Sequence, residues 1–117
     1  MKGRTHKMFV EDILEAMNKI ERYLKGLTYE MFVKNDIVVD AVARNLEIIA
    51  EASSNIPEDV KGKYLYIPWK RMIGLRNIVI HEYFGIDLSI IWEIVTKNLP
   101  ETKPQIIAML NSFNERE

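Results

Sequence analysis

The fold is decided by residues 36–55, which read DIVVDAVARNLEIIAEASSN. Apolar residues recur there at intervals of three and four, the spacing that lines one face of an α-helix. They are Val38, Val39, Val42, Leu46, Ile49 and Ala50. In so long a stretch this spacing outweighs the strand preference of its β-branched pairs. We therefore predict a helix with Asp36 as its N-cap, ending near Asn55 because Ile56-Pro57 disfavours its continuation.

The chain on the N-terminal side of this helix also has helical spacing. Apolar residues between positions 8 and 27 recur at three- and four-residue steps, which predicts a first amphipathic helix. Gly26 stands where a C-terminal cap belongs, because glycine tolerates the left-handed backbone conformation found there. Thr28 can then cap a short helical turn over residues 29–33.

The chain on the C-terminal side begins irregularly and becomes helical again. Residues 57–67 look irregular, apart from one short turn at residues 58–63. Pro68 then suits the first turn of a helix, where its missing N–H costs nothing. We predict that this helix extends to about Tyr83 and that Phe84-Gly85 ends it.

The last third of the chain predicts two further helices. Asp87 can cap a helix over residues 88–98, and Pro100 opens another that reaches about Phe113. Pro104 lies close enough to that start to be tolerated, or it delays the start by one turn. Short connections and the lack of a convincing strand predict an all-α, antiparallel helical bundle, with residues 1–117 in a single domain.

The composition is that of a globular protein, with 48% apolar and 28% charged residues. There is no cysteine, so neither a disulfide framework nor a thiolate metal site is possible. The N-terminus lacks the apolar region of a signal peptide, and no apolar run approaches the length needed to cross a membrane. We therefore expect a cytoplasmic protein without a membrane partner.

Charge is distributed unevenly along a chain whose net charge is only −1. None of its 17 acidic residues lies between positions 60 and 81, where Lys61, Lys63, Lys70, Arg71 and Arg76 occur. This segment could form a local basic patch that meets a polyanion, with Lys70 and Arg71 as candidate substrate-binding residues. Alternatively, it merely balances acidic neighbours elsewhere on the surface.

A run of polar groups interrupts the apolar residues of the predicted helix that begins at Pro68. It reads RNIVIHEY over residues 76–83 and contains Arg76, Asn77, His81 and Tyr83. A guanidinium can hold two oxygens of a phosphate at once, and an imidazole can transfer a proton near neutral pH. This combination suits chemistry at a phosphodiester.

An α-helical projection at 100° per residue places Arg76 in the middle of an apolar arc and Tyr83 nearly on its line. A charged arginine on an apolar face is costly unless it is paired. Two interpretations follow. In the first, Arg76 forms a buried ion pair with Asp40, Glu47 or Glu51 of the long helix. In the second, Trp69, Ile73 and Ile80 face a second subunit, and Arg76, Asn77 and His81 line a shared cleft.

Such a cleft could cleave RNA without a metal ion, because the ribose 2′-hydroxyl is an internal nucleophile. His81 would serve as general acid or base, Arg76 would stabilise the charge that develops on the phosphorus oxygens, and Asn77 would orient either group. A single histidine can perform only one of the two proton transfers. A second subunit could supply the group that performs the other. No group of His, Asp and Glu has metal-ligand spacing, and no glycine-rich phosphate loop is present.

The segment around this run resembles a known family. Residues 68–69, PW, and 73–87, IGLRNIVIHEYFGID, closely resemble the HepT-like HEPN-domain toxins. Residues 41–42, 44–49 and 51–52, which read AV, RNLEII and EA, match a second signature of that family, in which Ala50 stands where glycine is frequent. Trp92 and Leu99-Pro100 match its C-terminal pattern. The resemblance extends from about Val10 to Leu110.

The resemblance implies a HEPN helical bundle that forms a homodimer with the motif at the interface. It further implies a metal-independent endoribonuclease that acts as the toxin of a toxin–antitoxin pair and needs no cofactor. Its motif, Arg-x4-His-x-Tyr, falls on Arg76, His81 and Tyr83, with Asn77 as the polar residue after the arginine. The family's antitoxin is a small MNT-type nucleotidyltransferase that transfers AMP to the motif tyrosine, here Tyr83.

Two other functions are compatible with the sequence. The chain could be a non-catalytic HEPN module that binds a nucleotidyltransferase partner or a nucleotide, or a helical interaction protein in which Arg76 and His81 are structural. The intact motif favours the ribonuclease over the non-catalytic module.

Overall fold

The structure is a computed structural model that describes residues 4–83 and 87–115, without the side chains of Glu82, Tyr83 and Glu115. Every regular element in these ranges is helical, so the predicted all-α class is confirmed. The α-helices are α1 (His6–Leu24), α2 (Tyr29–Val33), α3 (Asp36–Asn55), α4 (Glu58–Lys61), α5 (Trp69–Ile73), α6 (Leu75–Ile78), α7 (Leu88–Glu93) and α8 (Leu99–Glu115). Two π-helical segments, π1 (Val79–Tyr83) and π2 (Ile94–Asn98), interrupt the α-helical winding.

The core forms where the apolar stripes of the long helices meet. In α1 the buried side chains recur at helical spacing and include Val10, Ile13, Met17 and Ile20. The facing stripe of α3 includes Val39, Val42, Leu46 and Ile49. Helix α1 packs against α3 and α8, and α3 also packs against α5, α6 and π1. Each fully buried aliphatic side chain of this kind contributes about 1.5–3 kcal/mol, so the two stripes explain why these helices associate.

The start of α3 corrects one predicted cap. The N-cap is Asn35, whose side-chain Oδ1 accepts a hydrogen bond from the Val38 N–H at 3.1 Å. Asp36 is instead the first helical residue, where its negative charge faces the positive end of the helix dipole. Both residue types are good N-caps, and the hydrogen bond to Val38 determines which one serves.

The other short connections agree with the predictions. Gly26 has a φ of 79° just after α1, the left-handed conformation that favours glycine at a helix end. The Thr28 side chain accepts from the Met31 N–H and begins α2, as expected. Within residues 57–67 the short turn of helix is present as α4.

The helix that carries the motif is not continuous, contrary to the prediction. Residues 69–83, here called the motif helix, consist of α5, a turn at Gly74, α6 and the wider π1. At Gly74 the winding tightens, because its carbonyl accepts from the N–H groups of both Asn77 and Ile78. In π1 the winding widens to hydrogen bonds between residues five apart. The predicted break at Phe84-Gly85 lies outside the described residues.

In the structure, one continuous helix replaces the two helices predicted for the last third of the chain. Residues 88–115 run through α7, π2 and α8 without a break, so Pro100 does not open a new helix. A proline inside an α-helix removes one N–H and presses on the preceding turn, and the wide turn of π2 relieves that crowding just before Pro100. Nearby hydroxyls also bond helix carbonyls: Thr96 donates to the Trp92 carbonyl at 2.6 Å and Thr102 to that of Asn98 at 3.0 Å.

Candidate active site

One face of the motif helix is buried in the bundle. Trp69, Met72, Leu75 and Val79 lie on it, each with at most 8% of its surface exposed. The Trp69 Nε1–H donates a hydrogen bond to the Tyr64 carbonyl at 3.1 Å. The indole is therefore bonded to its own chain and does not face outward. The expectation that Trp69 faces a second subunit is therefore wrong.

The opposite face of the motif helix, here called the motif face, carries the polar residues. Arg76, Asn77 and His81 are all exposed, and Ile73 and Ile80 beside them are 36% and 48% exposed. Arg76 is thus neither buried nor central to an apolar arc, and a buried ion pair with Asp40, Glu47 or Glu51 is excluded. The α-helical projection placed a single apolar arc around Arg76. In the structure most of its described residues are buried, whereas Ile73 and Ile80 are exposed.

The π-helical segment changes how Arg76 and His81 are related. Residues five apart in a regular α-helix are separated by about 140° around the axis. The wider turn of π1 advances less per residue, so His81 lies closer to the line of Arg76 than α-helical winding would place it. The same widening invalidates the α-helical projection that aligned Tyr83 with Arg76. The backbone of Tyr83 belongs to π1, and its side chain lies outside the described part of the structure.

A groove between the motif helix and α3, here called the α3 groove, begins at Arg76 and has a volume of about 560 Å³. The motif helix contributes Ile73 and Arg76, and α3 contributes Arg44, Glu47, Ala50, Glu51, Ser54 and Asn55. Within the ranges that the structure describes, neither Arg44 nor Arg76 forms an ion pair. Two guanidinium groups therefore remain available to an anion along this groove.

The remaining basic residues of the acid-free segment do not converge on Arg76. Arg71 lines a separate groove of about 620 Å³ between the motif helix and residues of α7, π2 and α8, and Lys70 is exposed beside it in α5. Lys61 is buried, and its Nζ lies 3.3 Å from a carboxylate oxygen of Glu58. Its charge is therefore neutralised locally and does not contribute to a basic patch.

The arrangement on the motif face suits chemistry at a phosphodiester. A guanidinium, a carboxamide and an imidazole are all accessible to solvent on consecutive turns of one helix, and a groove leads away from them. Arg44 also lines this groove, although it is distant in sequence from the motif; the family resemblance includes it in the second signature without giving it a role. Among the described residues no group of three or more His, Asp and Glu side chains is placed to hold a metal ion. No helix in the described ranges is long and apolar enough to cross a membrane.

Comparisons with known proteins agree with the sequence resemblance. Residues 13–109 match the family model described as "Ribonuclease HepT-like". A Methanocaldococcus jannaschii protein named as a candidate RNase is 44% identical over 106 residues, which cover 91% of this chain and 97% of that protein. A Thermococcus cleftensis protein named "Probable ribonuclease HepT" is 42% identical over 100 residues, which cover 86% of this chain and 91% of that protein.

A bacterial relative is similar over nearly the same length. A Caldanaerobacter subterraneus protein, also named as a candidate RNase, is 38% identical over 107 residues, which cover 92% of this chain and 96% of that protein. No solved structure matches the chain significantly.

Proposed function

Because this chain belongs to the HepT-like ribonuclease family, we propose that it is a metal-independent endoribonuclease acting in the cytoplasm. The observation that carries the proposal is the joint exposure of Arg76, Asn77 and His81 on one helix face beside the α3 groove. An extended RNA strand can reach these groups without any rearrangement of the described core.

The roles of the three side chains follow from their chemistry. The 2′-hydroxyl of a ribose attacks the adjacent phosphorus, its proton passes to a base, and the bond to the 5′-oxygen of the next nucleotide breaks as that oxygen gains a proton. His81 performs one of these two proton transfers. Arg76 binds the non-bridging oxygens, where negative charge increases in the transition state. Asn77, one turn from His81, orients the imidazole or the phosphate.

A homodimer through the motif face completes the proposed site. Ile73 and Ile80 present apolar surface directly beside Arg76, and burial of such surface stabilises association. Two copies packed through this face would bring two His81 side chains to one cleft, which supplies the second proton transfer that a single histidine leaves open.

Regulation is proposed to follow the family's toxin–antitoxin arrangement. The chain would be the toxin, and a small MNT-type nucleotidyltransferase would be its antitoxin. That enzyme would transfer AMP from ATP to the Tyr83 phenol oxygen, with release of pyrophosphate. Support comes from the position of Tyr83 in the same short π-helical segment as His81. A bulky anionic group attached in this segment, close in the chain to His81, would obstruct the motif face and repel the phosphates of RNA.

RNA cleavage in the presence of EDTA tests the proposed reaction. We expect purified protein, shown by intact mass to be unmodified, to cut single-stranded RNA with excess EDTA and to leave 2′,3′-cyclic phosphate and 5′-hydroxyl ends. The same RNA with 2′-deoxyribose at the cleaved position should resist, because the internal nucleophile is missing. If EDTA stops cleavage and a divalent cation restores it, the metal-independent mechanism is wrong. If the unmodified protein leaves RNA intact, the non-catalytic alternative is favoured.

Substitution of Ile80 by aspartate tests the proposed dimer. Ile80 is 48% exposed, so Ile80→Asp should leave the fold intact, whereas two buried carboxylates at a symmetric interface would strongly oppose association. We expect the variant to elute as a monomer at micromolar concentration and to lose most of its RNA cleavage. Ile107→Asp, at an isoleucine of α8 that is 39% exposed, is the matched control and should remain dimeric. A wild-type protein that is monomeric under the same conditions would rule out the shared cleft.

A further inference from the structure

A line of polar side chains runs along α3 opposite the motif face. Arg44, Glu47, Glu51 and Asn55 follow one another at three- and four-residue steps, so they lie on one side of the helix, and all four line the α3 groove. The line is about 16 Å long at the rise of an α-helix. This length corresponds to about five nucleotides at the roughly 3.4 Å spacing of phosphates along one strand of a duplex, and to fewer in a more extended strand.

The two arginines of the groove are free to bind phosphate. Arg44 and Arg76 each carry five N–H donors in a rigid fork, which suits a phosphate. In the described part of the chain neither forms an ion pair, although Glu47 and Glu51 line the same groove. Because Arg76 lies on the motif face and Arg44 on α3, the two guanidinium groups reach the groove from different helices and can hold different phosphates of one strand.

The two glutamates determine which polyanion fits. Carboxylates repel phosphates, so a groove that contains Glu47 and Glu51 is a poor site for a strand that offers only anionic oxygens. A ribonucleotide backbone also carries a 2′-hydroxyl on every sugar, and an ionised carboxylate can accept a hydrogen bond from it. The 2′-hydroxyl is the group by which proteins distinguish RNA from DNA. A groove that holds both cationic and hydrogen-bond-accepting groups therefore matches RNA better than DNA.

We propose that the α3 groove binds the ribose-phosphate backbone of the RNA strand next to the cleaved bond. Arg44 binds a phosphate other than the one at Arg76, and Glu47 and Glu51 accept hydrogen bonds from 2′-hydroxyl groups and so select RNA over single-stranded DNA. This inference rests on the proposed ribonuclease function and adds to it a substrate-binding residue, Arg44, and a basis for sugar selectivity.

Equilibrium binding tests the role of Arg44. In a His81→Ala background, which prevents cleavage, the affinity for a short single-stranded RNA is measured at several salt concentrations with and without Arg44→Ala. Loss of one charged hydrogen-bond donor should weaken binding about 10-fold. Loss of one phosphate contact should also reduce the slope of log K against log salt by about 0.7. Arg22→Ala, at an exposed arginine of α1 outside the groove, should change neither quantity.

Sugar selectivity tests the role of the glutamates. The His81→Ala protein should bind RNA more tightly than DNA of the same sequence. In the Glu47→Ala/Glu51→Ala double variant the RNA-to-DNA affinity ratio should fall towards one, because hydrogen bonds to RNA are lost and repulsion of DNA is relieved. An unchanged RNA-to-DNA affinity ratio would show that the carboxylates do not distinguish ribose from deoxyribose. The proposed role of Glu47 and Glu51 would then be wrong.

Two further outcomes separate this inference from the proposed function. If wild-type protein cleaves RNA but Arg44→Ala changes neither affinity nor salt slope, only the α3 groove proposal fails. If Arg44→Ala turns a dimer into a monomer, Arg44 contacts a second copy of the chain and the proposal is likewise overturned. If the wild-type protein neither cleaves nor binds RNA, the ribonuclease function itself is wrong.

Discussion

Replacing His81 with alanine is expected to lower the rate of RNA cleavage by about 10²–10⁴-fold, the usual contribution of a positioned acid or base. The side chain is exposed on the motif face, so its removal should leave the packing of the bundle unchanged. Single-turnover cleavage with saturating RNA measures the chemical step, and thermal unfolding and size-exclusion chromatography check the fold and the dimer. The variant should bind RNA with nearly wild-type affinity.

His6→Ala is the matched control, because His6 is the other histidine of the chain. Its ring packs edge-on against Phe113 with ring centres 5.0 Å apart, far along the chain from the motif. This variant should retain cleavage even if it is slightly less stable. Full activity of pure His81→Ala, with contaminating nuclease excluded, would remove the catalytic role assigned to His81.

Modification of Tyr83 is expected to inhibit the enzyme as strongly as loss of its arginine. When the chain is produced with an active nucleotidyltransferase partner, intact mass should show added AMP and peptide mapping should place it on Tyr83. Cleavage should then fall by about 10²-fold or more, as for loss of a transition-state contact, because the added group would block access of RNA to the motif face. The Tyr83→Phe variant should remain active in the presence of the partner.

Tyr66→Phe is the matched control, because it removes the hydroxyl of another accessible tyrosine. Tyr66 is 56% exposed and lies in the loop before the motif helix. The Tyr66→Phe variant should be modified and inhibited like the wild type. If Tyr83→Phe is inhibited as fully as wild type, another residue or simple binding of the partner accounts for neutralisation. A modified protein that still cleaves RNA at the wild-type rate would contradict the proposed obstruction of the motif face.

The long helices could be predicted from the sequence because their spacing is regular. In α1 and α3 the apolar residues recur at every third or fourth position, and burial of that stripe is what holds the helices together. Cap residues are less certain when two candidates are adjacent, as Asn35 and Asp36 show. The motif was recognisable because its residues are close together in the sequence.

The features that sequence reasoning missed depend on backbone winding and on distant contacts. Apolar spacing does not distinguish an α-turn from the wider π-turns before Tyr83 and before Pro100, so the projection around Arg76 was wrong. Proline was read as a helix start at position 100, although a widened turn accommodates it. Arg44 belongs to the second family signature, but its sequence position indicates no role, because only the packing of α3 against the motif helix brings it into one groove with Arg76.

If the two exposed isoleucines beside Arg76 form a dimer interface, the cleavage activity would depend steeply on the concentration of the chain. A cleft that needs a second copy is assembled by mass action, so below the dissociation constant of the dimer its activity rises with the square of the chain's concentration. A few unmodified molecules would then be almost inactive, whereas a modest rise in their number would release cleavage sharply. In the proposed dimer, the apolar surface contributed by Ile73 and Ile80 would set that threshold, because its burial would determine how tightly two copies associate.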